Sequence, residues 1–521
     1  MRLFSMRISG ARALLVHAGA ALAVAVSIAG CGNNYRPVVT PVYQNGPAAQ
    51  PASFAVVVSA PSPTSAGIAT IVDYSGDTVM AIAPIGVGPK NLAVDETGSN
   101  GFTVNSDGTL SSFPVSTSLQ AKNVVYSTLK ASAQPINLLV PQAGMFAADL
   151  TGSVVDVFGL SPPLALKLSV PVALAPVAMV DVPSVTSQRE YAISQGFSDP
   201  TGVACNTAPT TQTTGFATPI EYSTNSADPQ IQLGICPVYG IQSSDQQRVY
   251  VLNRGDDTVS VINSRNNALD ACTPFTDPET GRTVYCHPTL PLSQNAVKAI
   301  NSTPACQNST IPPCGGPPNG TTGMTATAGP VYAEYNVATS TLVVANYDGG
   351  TISVIDVSLD EYGNDSPTFG TTYTIPVGNN PASVTVLYDG SRAYTANQTD
   401  GTVTIVNLTS HTVEKTLTVV GHPRTVSSTQ NSLYGKVYVA SPDSPYVTII
   451  STVNDLVDTT VLVQGNVVDV HVSTQNGTQG NGNVISRMPG YGEPCNMPPG
   501  ILTSAYGVNY TLAECQSQNV P

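Results

Sequence analysis

Tryptophan is absent from this chain of 521 residues, and Asp, Glu, Lys and Arg together account for only 10% of it. The sequence also lacks a Gly-x-Ser-x-Gly elbow, a His-Glu-x-x-His motif and a glycine-rich phosphate-binding loop. These absences remove the usual motif evidence for a serine hydrolase, a zinc peptidase or a nucleotide-binding enzyme. Ser, Thr, Gly, Pro, Val and Asn dominate instead, which is typical of short β-strands joined by turns.

Positive charge is scarce as well. The chain has 19 Lys and Arg against 33 Asp and Glu, a net charge of −14. Proteins bind phosphate backbones mainly through Lys and Arg, so this balance argues against a nucleic-acid partner.

A long apolar run lies near the N-terminus, at residues 13–30, after three arginines. Its end, Ser27-Ile28-Ala29-Gly30-Cys31, resembles a bacterial lipobox, although an ordinary secretory signal with an unrelated cysteine is the alternative. The resemblance implies a signal peptide at 1–30, palmitate-type acylation of Cys31 and a stable membrane anchor. Several acyl chains anchor a protein stably in a membrane, whereas a single chain binds reversibly. Removal of the signal peptide leaves 16 basic and 33 acidic residues, a net charge of −17.

Gly32, and not Asp, follows the cysteine, which is similar to the outer-membrane sorting default of Gram-negative lipoproteins. We therefore expect an outer-membrane-anchored protein that faces the periplasm or the cell surface. Residues 31–51 then form the lipidated cysteine and a flexible tether rich in Pro, Asn and Gln.

Eight short apolar strands in the rest of the chain end in a small polar residue, and a second β-rich strand usually follows. The clearest copies are YVLNRGDDTVSVIN (250–263), VVANYDGGTISVID (343–356) and YTANQTDGTVTIVN (394–407). The eight strand-end residues, which we call anchors and interpret as structural, are Asp73, Asn105, Asp149, Ser194, Asn253, Asn346, Asn397 and Ser441.

Gly, Asp and Asn between the paired strands favour tight hairpin turns. A link of the type Val-Gly-x-x-Pro, as at 377–381, connects one unit to the next. Units of about 44 residues made only of strands predict an all-β fold, a single β-propeller of four-stranded blades over residues 52–482.

Tyr250-Val251-Leu252-Asn253, Tyr394-Thr395-Ala396-Asn397 and Tyr438-Val439-Ala440-Ser441 resemble the YVTN family of propeller repeats. Members of that family usually have seven blades, whereas this sequence contains eight anchors, so seven and eight both stay open. The first interval, from Asp73 to Asn105, is only 32 residues. The first unit therefore lacks a strand that NVISRMPG (483–490), in the C-terminal tail 483–521, could supply.

Eight cysteines besides Cys31 make an even number, which in an exported chain indicates disulfides. None forms a Cys-x-x-Cys pair, so a metal site is the weaker alternative. Sequential pairing would close two loop insertions, at about 200–240 and 264–335, and the tail. The candidates are Cys205, Cys236, Cys272, Cys286, Cys306, Cys314, Cys495 and Cys515.

No catalytic, cofactor-binding or metal-binding residue can be assigned from these patterns. We expect a monomeric, lipid-anchored, non-enzymatic binding scaffold without a cofactor, whose partner is a protein or an envelope polysaccharide. The alternative is a lactonase-like hydrolase or a cofactor-dependent oxidoreductase that uses the central channel. Three carboxylates and a histidine converging at the channel mouth would favour an enzyme, and Ser, Thr and Asn there would favour binding.

Overall fold

The computed structural model describes residues 54–473, apart from 96, 142–143, 163, 184–187, 197–213, 279–280, 361 and 433. Within these residues, eight antiparallel sheets of four or five strands follow one another around a ring. The prediction of an all-β propeller of four-stranded blades is confirmed, and the number of blades is eight.

Each blade runs from an innermost strand beside the axis to an outermost strand at the rim. In that order, blade 1 consists of Asn466–Val472, Phe54–Ala60, Ala66–Asp73 and Val79–Val87, and blade 2 of Ala93–Val94, Asn100–Val104, Thr109–Pro114 and Val125–Thr128. Blade 3 consists of Pro135–Leu139, Met145–Asp149, Val154–Phe158 and Leu166–Pro171. Blade 4 consists of Pro176–Pro183, Gln188–Ser194 and Thr214–Glu221, with Ser226–Ala227 and Ile231–Ile235 as its outer strands. Blade 5 consists of Pro237–Gln242, Arg248–Asn253 and Thr258–Asn263, with Ala268–Leu269 and Thr289–Pro291 as its outer strands. Blade 6 consists of Pro330–Asn336, Thr341–Asn346, Thr351–Asp356 and Thr372–Pro376. Blade 7 consists of Pro381–Val386, Arg392–Asn397, Thr402–Asn407 and Thr412–Thr418, and blade 8 of Thr425–Ser428, Lys436–Ala440, Tyr446–Ser451 and Leu456–Leu462.

The middle strands of the blades are buried on both faces because each face packs on a different neighbour. In the third strand of blade 5, Val259 and Val261 enter the core shared with blade 6, and Ile262 enters the core shared with blade 4. The eight hydrophobic clusters of the described residues each lie between two adjacent blades. A single blade could not bury these faces, so the ring is the stable unit.

Blade 1 is built from both ends of the described chain. Asn466–Val472 is its innermost strand and pairs with Phe54–Ala60, which closes the ring. The segment 483–490, our candidate for this role, lies outside the described residues. The second strand of every blade ends at the same side of the ring, which we call the anchor face. Phe54 and Ser473 meet at the opposite face, where the Ser473 N–H donates to the Phe54 carbonyl at 2.8 Å.

Seven of the eight anchors end or directly follow the second strand of their blade, but Asp73 does not. It ends the third strand of blade 1, at the opposite face, because the first two strands of that blade come from the two ends of the described residues. The equivalent position is Pro61, which follows Phe54–Ala60 and stands 44 residues before Asn105. The short first interval therefore reflects a shifted strand and not a smaller blade.

The boundaries of the long insertion need correction. Of residues 264–335, Ala268–Leu269 and Thr289–Pro291 pair with the third strand of blade 5, and the segment from Pro330 is the innermost strand of blade 6. The described part of 200–240 likewise contributes the third and outer strands of blade 4 and the start of blade 5. The remaining excursion carries a short hairpin, Phe275–Thr276 with Thr283–Val284, and the helix Gln294–Asn301, which begins where Ser293 accepts the Ala296 N–H.

Two disulfides close loops of this excursion, as expected for stapled insertions. They join Cys272 to Cys286 and Cys306 to Cys314. Cys236 is buried and disulfide-bonded, while Cys31, Cys205, Cys495 and Cys515 lie outside the described residues. Two short 3-10 turns, Ala121–Asn123 and Pro304–Cys306, complete the helical content of the described residues. No helix among them has the length and hydropathy to cross a bilayer.

Candidate functional site

The asparagine anchors make hydrogen bonds inside their own blade. The Asn253 amide donates to the hydroxyls of Thr258, at 3.0 Å, and Ser260, at 2.9 Å. Asn105, Asn346 and Asn397 make the same pair of bonds to hydroxyls of their third strands. Each amide therefore fastens the end of the second strand to the third and does not project into the channel.

Carboxylates in the hairpins hold the link that arrives from the preceding blade. Asp107, Asp256, Asp400 and Asp443 accept backbone N–H groups of these links at 2.7–3.0 Å. Burial raises the pKa of Asp256 to about 6, although the Ile235 N–H and the Thr258 hydroxyl favour its charged form. Asp257 accepts the Gly329 N–H at 2.7 Å. Both acids are therefore half-buried at the blade junction and hold backbone N–H groups there.

Polar side chains of the innermost strands join one blade to the next around the axis. Each accepts a backbone N–H of the following innermost strand or of the residues leading into it, at 2.7–3.2 Å. These side chains are Asn137, Glu334, Ser383, Ser427 and Asp469. Since buried donors and acceptors are costly to leave unpaired, these axial groups have a structural task before any ligand is considered.

A polar cluster lies on the axis where blade 1 closes the ring. His471 Nε2 lies 3.4 Å from Asp469 Oδ2, which also accepts the Leu92 N–H. Burial alone would raise the pKa of Asp469, but His471 and the Arg424 guanidinium outweigh it and lower that pKa. Arg424 also donates to the Val468 carbonyl at 2.7 Å. Asp469 is therefore held as a carboxylate beside the Arg424 guanidinium and the His471 ring.

Two tyrosines from blades 5 and 6 extend this polar region. The rings of Tyr239 and Tyr332 lie 4.7 Å apart between their centroids. Burial, followed by the charges of Glu334 and Asp469, raises the pKa of Tyr332, and burial raises that of Tyr239. Both phenols remain protonated at neutral pH, so they can donate hydrogen bonds but cannot act as phenolate nucleophiles.

The mouth of the axis on the anchor face is formed largely by aliphatic residues. In five blades the innermost strand starts with a proline that pairs with the anchor, and the next residue is bulged out of register. Such bulges redirect one side chain. The bulged residues are half-buried: Ile136, Val177, Val238, Val331 and Ala382. In blades 2 and 8 the residue after the proline is instead cationic, Lys90 and Arg424.

Neither a family model nor a curated protein matches this chain. Its fold is similar to that of the solved apo AztD from Citrobacter koseri. The TM-score is 0.51 and the identity 12%, over 83% of this chain and 99% of that one. The dihydro-heme d1 dehydrogenase NirN has a TM-score of 0.50 and 12% identity, over 81% of this chain and 77% of its own. These likenesses show the β-propeller fold alone.

The other histidines of the described residues make contacts of their own. His287 Nδ1 is 2.7 Å from Asp365 of blade 6, whose other oxygen is 3.2 Å from Arg248 of blade 5, so this trio fixes the excursion to both blades. His411 stacks on Tyr373, and His422 pairs with Asp443 at 2.6 Å in its link. In the described part of the chain, no group of three or more His, Cys, Asp and Glu is placed to hold a metal ion.

The axial residues are the ones that sequence reasoning missed. The mouth of the axis meets neither condition set out above, because its bulged residues are aliphatic. A signal for the tyrosines was present, because Pro-Val-Tyr opens the innermost strands of both blade 5 and blade 6, at 237–239 and 330–332. The carboxylates Glu334 and Asp469 had no such signal, since each stands in an otherwise ordinary strand.

Proposed function

We propose that the protein is a lipid-anchored, non-enzymatic β-propeller of YVTN-type repeats that binds a protein or an envelope polysaccharide through its anchor face. The observation that carries this proposal is the use of the axial groups by the ring itself. Glu334 holds the Val386 N–H at 2.7 Å, and Asp469 holds the Leu92 N–H at 3.1 Å. Both carboxylates are buried and hold a backbone donor of the neighbouring blade, so each stabilises the ring itself.

The positions of the first and last described residues support the orientation in this proposal. Phe54 and Ser473 both lie at the face opposite the anchor face. A tether from Cys31 that joins at Phe54 would attach the membrane-proximal side of the ring. The anchor face, with its hairpins and the mouth of the axis, would then point away from the membrane toward a partner.

Site-specific photocrosslinking in intact cells tests the binding function. A photoreactive residue replaces Thr399 or Ser106, both exposed in anchor-face hairpins, and matched variants carry it at Ser410 or Asn454, both exposed at the opposite face. We expect discrete adducts only from the first pair. Equal adducts from both faces would contradict the proposal.

The enzymatic alternative makes a different prediction. If the axis were catalytic, the purified protein would hydrolyse a lactone or reduce a redox dye, and Asp469→Asn would abolish that turnover without unfolding the ring. Retained fold in the variant is checked by its circular dichroism and urea midpoint. Such a result would replace the binding scaffold with an enzyme.

A further inference from the structure

A cleft of about 600 Å³ lies off the axis, on the anchor face between blades 2 and 3. Small-molecule sites typically have volumes of about 300–1,000 Å³. The anchors Asn105 and Asp149 form part of its lining, together with the hairpins that follow them and the link at 130–135. The cleft thus occupies the place where two neighbouring blades meet beside the mouth of the axis.

Two lysines line this cleft in a protein that is otherwise strongly acidic. Lys130 Nζ lies 2.9 Å from the buried Asp156, and its side chain is 44% exposed. Lys90 is exposed, and none of the carboxylates in the described residues lies within ion-pair distance of its ammonium. One positive charge in the cleft is therefore left for a ligand.

Asp149 supplies a hydrogen-bond acceptor to the same cleft. Its Oδ1 accepts the N–H groups of Gln134, at 2.8 Å, and Gly152, at 3.2 Å, and the Thr151 hydroxyl at 3.2 Å. Its Oδ2 accepts no hydrogen bond from the described residues, although the residue is only 4% exposed. A fixed carboxylate with one open oxygen selects a ligand that brings a hydroxyl or amine proton.

The remaining lining is polar or small, with no aromatic ring and only Pro135 and Val154 as larger apolar residues. An apolar ligand would gain little from such a wall. A hydroxylated acid fits both features, because its carboxylate pairs with Lys90 and its hydroxyls donate to Asp149 and exchange bonds with Gln134. We propose that this cleft binds an acidic sugar, a uronate, and that this sugar is the part of an envelope polysaccharide that the protein recognises.

This inference rests on the proposed binding function, and a titration of the lipid-free mature protein tests it. The probe is D-glucuronate, followed by isothermal calorimetry, with D-glucose and acetate as comparison ligands. Lys90→Met removes the unpaired charge, Lys90→Arg keeps it, and Lys122→Met removes another exposed lysine, outside the cleft. We expect glucuronate alone to bind, and Lys90→Met to weaken it about ten-fold or more, as for a lost charge-assisted hydrogen bond. The other two variants should bind as the wild type does.

Two outcomes overturn the inference: glucuronate fails to bind, or it binds equally well to Lys90→Met. A response to acetate as strong as that to glucuronate also overturns it, because hydroxyl recognition would then be absent. Tighter binding of a tri-uronate than of the monomer supports a polysaccharide as the natural ligand. Equal affinity for the two would contradict a polysaccharide ligand. A protein that forms anchor-face adducts in cells yet ignores glucuronate refutes this cleft and leaves the binding function intact.

Discussion

The ring closure in blade 1 allows a quantitative test of what holds the propeller together. Val57 and Val470 are register partners across the closure, and both are fully buried. Phe54 and Ser473 form a hydrogen-bonded pair three positions away, so alternation makes Val57–Val470 a non-hydrogen-bonded pair with Cα atoms about 4.5 Å apart. Such a separation suits a disulfide, and we propose the double substitution Val57→Cys with Val470→Cys.

The expected gain follows from the length of chain that the bond would close. Val57 and Val470 are 413 positions apart, for which the chain-entropy relation gives about 6 kcal/mol. Val343 and Val354 in blade 6 are a matched control, because they are also a buried, non-hydrogen-bonded valine pair, only 11 positions apart. The same relation gives about 3 kcal/mol for a disulfide there.

Urea unfolding of the two oxidised double-cysteine proteins measures the difference, each against its own double-alanine variant. The closure disulfide should raise the free energy of unfolding by about 3 kcal/mol more than the control does. Free-thiol titration verifies that each bond has formed. Equal stabilisation by the two disulfides would refute the reasoning, since it would mean that separation of the chain ends does not contribute to unfolding.

Three further predictions concern the anchor, the core and a buried acid. Metabolic labelling with a fatty acid should mark the wild type but not Cys31→Ser, and label in the variant would rule out lipidation at that residue. Ile355→Ala should lower the free energy of unfolding by roughly 2–4 kcal/mol, because Ile355 is fully buried between blades 5 and 6; Val413→Ala, at a 43% exposed position, should change it by less than about 0.5 kcal/mol. Asp256 has a raised pKa in the folded state, so its protonation favours folding; the wild type should gain stability relative to Asp256→Asn as the pH falls from about 6 to 3.8, and a loss over that interval would contradict the desolvation of this carboxylate.

The repeated hairpins could be predicted because their determinants are local. Asn397, the turn that follows it and the alternating strand 402–407 are all within eleven residues, and period-two patterning with turn chemistry is enough to place them. The partner of the first strand could not be found in this way. Phe54–Ala60 pairs with Asn466–Val472 across most of the chain, and nothing in either segment marks the other.

Asp73 illustrates how a correct local prediction can be misplaced in the fold. The segment 71–82 is a strand, turn and strand, as its sequence indicates, but it joins the third and outer strands and not the second and third. Both hairpins need a turn residue that accepts N–H groups, so the same composition serves both. The axial role of Glu334 was equally hidden, because burial beside the Val386 N–H depends on the neighbouring blade.

The offset between repeat and blade has a consequence for how such a protein can change over generations. One sequence repeat contributes the outer three strands of one blade and the innermost strand of the next. The first three strands of the ring therefore take their innermost strand from its last repeat. Duplication or loss of a whole repeat would leave that partnership intact. The number of blades can therefore change by one at a time in evolution. The pairing of Phe54–Ala60 with Asn466–Val472 would be the same in the larger and the smaller ring.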